Sequence, residues 1–257
     1  MFLTWLDNNS WLIEMAGQRI LLDPWLVGSL VFGNLPWLFR GYHLTPRPIP
    51  EAIDLILLSQ GLEDHAHLPT LEQLDRKIPV VASPNAAKVV QALGYSQITP
   101  LSHGEYFTLA DQVKIQAIPG DPIGPFLVEN GYILTDLEKN VKLYYDPHGY
   151  HSPGIQAFAP VEVVITPLIG LQIPVLGAII KGGKDALQAV EWLRPQVILP
   201  TAAGGDVQFK GLLVSVLQSQ GSLDDFQKLL SKNQLSARVV APSPGKRFEV
   251  ELISVGS

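Results

Sequence analysis

Ser59-Gln60-Gly61-Leu62-Glu63-Asp64-His65-Ala66-His67 decides how this chain is read. It follows directly on Ile53 to Leu58, an apolar run broken only by Asp54, with the length and composition of a buried strand. Acid and histidine side chains gathered at the carboxyl end of such a strand are where α/β proteins place metal ions and catalytic groups. Asp64 and His65 offer an oxygen and a nitrogen donor, and His67 is a further imidazole two residues on. A plainer role competes: the pair could cap a helix beginning near Pro69, or bond a neighbouring loop, with no ion involved.

Outward from this stretch, the chain reads as alternating β-rich and helical segments. Phe2 to Leu6, Trp11 to Met15 and Arg19 to Leu22 form an opening meander, punctuated by Asp7-Asn8-Asn9-Ser10 and Ala16-Gly17-Gln18. Helices are expected from Pro69-Thr70 to about Ile78 and from Pro84 to Leu93, around a short strand at 79–82. Strands follow at 106–109, 113–118, 132–135, 141–145 and 161–166. The last third alternates: helix 186–193, strand 197–199, helix 223–230, and strands near 237–240 and 248–253. Two β-rich halves, each carrying helices, predict an α/β (α+β) fold: a four-layer αββα sandwich of two mixed sheets, as one domain over 1–257.

Composition narrows the function classes. The 257 residues are 47% hydrophobic and only 16% charged, enough for a large core. A net charge of −6 with no clustered Lys and Arg argues against nucleic acid. There is no cysteine, so any metal must be held by His and carboxylate ligands. The start, MFLTWLDNNSWLIE, has neither the basic region nor the long apolar core of a signal peptide, and a cytoplasmic protein is expected.

Four pieces in order resemble the metallo-β-lactamase-fold hydrolases, specifically their lactonase-like and N-acylphosphatidylethanolamine phospholipase-like branch. These are Trp11 to Glu14 with Arg19 to Leu26; the Asp64-His65 half of an H-x-H-x-D-H signature; Val141 to Gly149, similar to the strand that ends in G-D-T-G; and Val197 to Thr201. The resemblance spans roughly residues 1–205. It implies a hydrolase that cleaves an ester, lactone, phosphodiester or amide with a metal-activated water. Departures are equally plain. Gln60 and Leu62 stand at the two leading histidines, Pro119-Gly120-Asp121-Pro122 has no counterpart of the third, and Thr201-Ala202-Ala203 none of the last.

The resemblance therefore implies at most one divalent ion, zinc by its ligand chemistry, held by Asp64, His65 and Asp146. His148 would be a fourth ligand or proton donor and His67 a spare imidazole; Asp64 and His148 are the catalytic candidates. Glu63 is expected to orient a ligating imidazole, and His151 to line the site. Asp23 reads as a turn residue, His43 and His103 as surface or structural, and Gly204-Gly205-Asp206 as a loop facing the site. The rival expectation is a metal-free member of the fold that binds a small apolar ligand or a protein. Residues 25–39 and 163–180 carry no charge. Pro167, Pro174, Gly170 and Gly177 argue against a membrane span in the second. Both suit the wall of a pocket for a hydrophobic substrate, a patch resting on a membrane, or an interface between copies of the chain.

Overall fold

The computed structural model describes residues 1–123, 127–174, 177–202 and 204–253. Two seven-stranded sheets pack face to face. In the first, Phe2–Trp5, Trp11–Met15 and Gln18–Leu22 form the antiparallel meander. Its second turn has two residues, Ala16 and Gly17, both at positive φ, the geometry that closes a tight hairpin without splaying the strands. Leu55–Leu58, Val80–Ala82 and Ile98–Pro100 then continue the sheet in parallel. The second sheet is built on a long hairpin, Val113–Ile123 with Leu127–Asp136, flanked by Tyr106–Leu109 on one side. On the other side lie Lys142–Tyr145, Val163–Thr166 and Val197–Pro200.

The layers follow from the two-residue alternation of side chains in strands. Leu55 and Leu57 point into the space between the sheets, against Trp11, Ile13, Ile115, Tyr132 and Ile165. Ile56 and Leu58 point outward, against Ala86 and Val90 of helix Pro84–Ala92. Val164 and Ile198 of the second sheet meet Ala186, Val190 and Leu193 of helix Lys184–Leu193, and Phe226 and Leu230 of helix Leu223–Lys232. Strands Leu55–Leu58, Val163–Thr166 and Val197–Pro200 are thus buried on both faces, as their uninterrupted apolar runs require. The observed architecture is the expected αββα sandwich.

Several elements differ from the sequence expectation. The helix expected from Pro69 to Ile78 is one turn, Leu68–Leu71; Asp75 accepts the Lys77 amide and offers the backbone a turn instead. Residues 25–39 hold a short strand, Leu30–Val31, and a 3-10 turn at Phe32–Asn34. The apolar run from Val163 is a core strand followed by a hairpin, Gly170–Ile173 with Gly177–Ile180; its residues 175 and 176 lie outside the described residues. Strand Val207–Lys210 and helix Leu212–Val216 were not expected. No described helix is long and apolar enough to cross a membrane.

Candidate functional site

The site forms where strands of both sheets end. Strand Leu55–Leu58 runs into Ser59, and Lys142–Tyr145 into Asp146. The sheets are tied together here: the Asn130 amide donates to the Ser59 carbonyl at 3.0 Å, and the Tyr132 hydroxyl to the Leu58 carbonyl at 2.8 Å. The loop after Pro200 joins through Thr201, whose hydroxyl bonds Asn8 and the side chain of Asn9. Asn9 in turn approaches Nε2 of His65.

Asp64, His65 and His148 converge, with one ligand atom from each lying within 4.8 Å of the others. Two further carboxylates set the imidazoles. Asp23 Oδ2 is 2.7 Å from Nδ1 of His65, and Glu129 Oε2 is 2.6 Å from Nδ1 of His148. A ring nitrogen facing a carboxylate carries the hydrogen, so Nε2 of His148 is left as a donor atom, whereas Nε2 of His65 itself faces the Asp64 carboxylate. Nε2 of His65 lies 3.2 Å from Oδ2 of Asp64, and the two rings are 5.2 Å apart. Asp64 and His148 each keep 15% of the side chain exposed, so the cluster is open to solvent on that side.

Electrostatics bind the cluster. Burial pushes the Asp64 carboxyl up, but the imidazoles of His65 and His148 outweigh it and hold it below the usual range. Burial would lower His65, and Asp64 and Asp23 raise it well above the ordinary value instead. His148 is likewise raised, by Glu129 against burial. Asp146 is pushed up to about 8 by burial and by repulsion from Glu129, despite the backbone amides that it accepts. Three carboxyl groups, Asp23, Asp64 and Glu129, face the two imidazoles, which leaves the cluster short of positive charge. Asp64 Oδ1, Glu129 Oε1 and Gln60 Oε1 are buried with no hydrogen-bond partner. Two imidazoles turned by carboxylates, one further carboxylate and these loose oxygens fit a single divalent cation.

Other expected site residues lie elsewhere. Asp146 is outside the converging trio: its Oδ1 accepts the amides of His148, Gly149 and Tyr150, and organises the loop that carries His148. His67 is turned away, with its ring nitrogens at Thr70 Oγ1 and the Ser29 carbonyl. Glu63 accepts the Gly33 amide and orients no imidazole. His151 is buried and bonds the Tyr144 hydroxyl, which approaches Asp146. His103 bonds the Glu129 carbonyl. His43 is a half-buried structural residue between Asp7 and Trp25. Gly204 and Gly205 pack on the Asp7-Asn8 turn rather than facing the cluster.

The positions of the missing histidines are filled by groups that offer no imidazole and have other partners or face solvent. Gln60 donates to Glu129 at 3.0 Å, Leu62 is 37% exposed, and Thr201 accepts from the Trp11 indole. Residues 119–122 form an irregularity in strand Val113–Ile123, and Ala203 lies outside the described residues. Sequence reasoning missed Glu129 and undervalued Asp23. Asp23 receives the Ser59 amide and hydroxyl and the Tyr145 hydroxyl besides His65. The available signal was a pair of acids each directly preceded by apolar strand residues, Leu21-Leu22 before Asp23 and Leu127-Val128 before Glu129, where a carboxylate is seldom left without a partner.

The profile described as a beta-lactamase superfamily domain matches residues 2–202. The chain belongs to that superfamily. It is a metallo-β-lactamase-fold member with an incomplete metal-binding site. A metal-dependent hydrolase of Myxococcus xanthus is 26% identical over 256 residues, covering 94% of this chain and 81% of that protein. Among solved structures, an isothiocyanate hydrolase from Delia radicum gut bacteria aligns with a TM-score of 0.70 at 17% identity, over 97% of this chain and 99% of that one. CmlA, a diiron β-hydroxylase from Streptomyces venezuelae, aligns at 0.68 and 15% identity, over 98% of this chain and 54% of that one. At such identities these likenesses establish the fold alone.

Proposed function

We propose that the chain is a mononuclear metal-dependent hydrolase of the lactonase-like branch. In this reading it cleaves an ester, lactone, phosphodiester or amide in the cytoplasm, as one domain over residues 1–257. The observation that carries it is the meeting of two carboxylate-turned imidazoles, Asp23–His65 and Glu129–His148, at Asp64. One divalent ion held by Asp64, His65 and His148, zinc in this reading, would supply Lewis acidity and lower the pKa of the attacking water.

The remaining roles belong to the chain itself. Asp23 and Glu129 fix the imidazole tautomers. Asp64 Oδ1, buried and without a hydrogen-bond partner among the described residues, remains a free acceptor beside the two imidazoles. Burial and the neighbouring Glu129 favour the protonated form of Asp146, which keeps a further negative charge away from Glu129. Its three amide contacts set the loop that presents His148.

One observation favours the metal-free, ligand-binding alternative: both ring nitrogens of His65 already face carboxylates, Asp23 and Asp64. Elemental analysis of protein purified without chelators, together with turnover on ester, lactone, phosphodiester and amide substrates, separates the two. One ion per chain, lost in His65→Ala and His148→Ala together with turnover, is the expected result. Protein with neither ion nor turnover supports the binding reading.

A further inference from the structure

Three charge-free segments, 25–39, 163–180 and 211–223, come together on the surface beside the cluster. Leu212 and Leu213 donate their amides to the carbonyls of Trp37 and Leu38, which places helix Leu212–Val216 against the turn at Phe32–Asn34 and the residues after it. Strand Gln218–Gln220, directly after that helix, pairs with Gly170–Ile173 of the apolar hairpin. Beneath lies a small core of Trp25, Leu30, Phe39 and Phe209. Above it, large apolar side chains face solvent: Trp37 is 63% exposed, Leu212 60%, Val216 42%, Leu35 40% and Ile179 39%. Leu212 and Val216 are four apart and share one helix face.

Cations sit at the roots of these segments. Arg40 ends the first, Lys210 precedes the third and Lys181 ends the second. Arg40 and Lys210 are direct cross-strand partners, an arrangement of like charges that an isolated sheet disfavours. Arg40 bonds Ser29, Lys210 lies over the Tyr42 ring, and neither forms an ion pair among the described residues. In a chain of net charge −6, this local pairing of cations below an exposed tryptophan and leucines is complementary to anionic headgroups over an acyl layer.

We infer that this face docks on an anionic phospholipid surface, with Trp37 and Leu212 entering the acyl boundary and Arg40 and Lys210 meeting lipid phosphates. The docking face is continuous with the candidate site. The Gly33 amide is held by Glu63, next to Asp64, and the Lys181 amide by the carbonyl of His148. A docked molecule therefore opens its cluster towards the bilayer surface.

Flotation with phosphatidylcholine vesicles, with and without phosphatidylglycerol, tests this without any need for metal or turnover, so its outcome is independent of the proposed hydrolysis. The wild-type chain is expected to float with the anionic vesicles. Trp37→Ser with Leu212→Ser should weaken that binding about tenfold or more. Arg40→Gln with Lys210→Gln should abolish the preference for phosphatidylglycerol. All four side chains are exposed or at the rim, and unchanged thermal unfolding verifies that the variants fold. Absence of flotation by the wild-type chain overturns the inference, as does wild-type binding by the Trp37, Leu212 variant. A wild-type dimer in sedimentation that the same variant converts to monomer, without vesicle binding, would assign the face to a second copy of the chain instead.

Discussion

At the scale of single residues, the site depends on acids that are not themselves in the converging trio. Asp23→Ala leaves the Ser59, His65 and Tyr145 donors without their buried acceptor. A loss of about 3 to 5 kcal/mol is expected, read as a drop in melting temperature on the order of 10 °C for a chain of this size. Glu129→Gln keeps the shape but weakens the partner of His148, and is expected to lower metal affinity about 10- to 100-fold with little effect on unfolding. Competition with a coloured chelator measures it. His151 offers a pH test. Burial, helped by the charge of Lys181, lowers its pKa from 6.5 to about 3. Between those values the unfolded chain binds a proton that the folded chain does not, so its contribution to stability is lost as pH falls below 6.5. Asp146, raised to about 8, acts in the opposite direction as pH rises. The difference between wild type and His151→Gln is therefore the quantity to measure. Wild type is expected to lose roughly 3 kcal/mol relative to the variant between pH 7 and 4.

Among elements, the loop 146–150 and the apolar hairpin behave as one unit. Gly149 is at φ +79, and an added Cβ would overlap the Lys181 carbonyl oxygen. Gly149→Ala must therefore displace the loop that carries His148 or the hairpin beside it. Gly33 also has positive φ, +57, but open space around it, so Gly33→Ala isolates the conformational effect. Urea unfolding should show about 1 kcal/mol for Gly33→Ala and a larger loss for Gly149→Ala, which alone should weaken metal retention. The elements legible in sequence were those with a single period. Leu55–Leu58, Val163–Thr166 and helix Pro84–Ala92, with Ser83 as its cap and Gly94 beyond its end, are examples. Strand Val207–Lys210 and helix Leu212–Val216 were not legible, since their pairing with Arg40–His43 and residues 37–38 is set at long range. The cluster was half legible for a similar reason. Asp64 and His65 are neighbours in a motif, whereas Glu129 reaches His148 only because strand Leu127–Asp136 pairs with Lys142–Tyr145.

For the whole molecule, ion binding and folding are coupled, because the cluster exists only where the two sheets meet. Loading with a divalent ion at about 100 times its dissociation constant should stabilise the fold by about 2.7 kcal/mol. Calorimetry should show a higher melting temperature that a chelator reverses and that His148→Ala does not show. The closing of the sheets has a temporal consequence. The superfamily match ends at residue 202, yet Arg238–Val239 adds a strand beside Val197–Pro200 in one sheet. Arg247–Glu249 then crosses to the other and pairs with Phe2–Trp5. Strand Phe2–Trp5 thus keeps an open edge until Arg247–Glu249 has been synthesised. Until then that edge is a template for wrong pairing, and chains stalled or cut near residue 202 should aggregate where residues 1–257 stay dispersed.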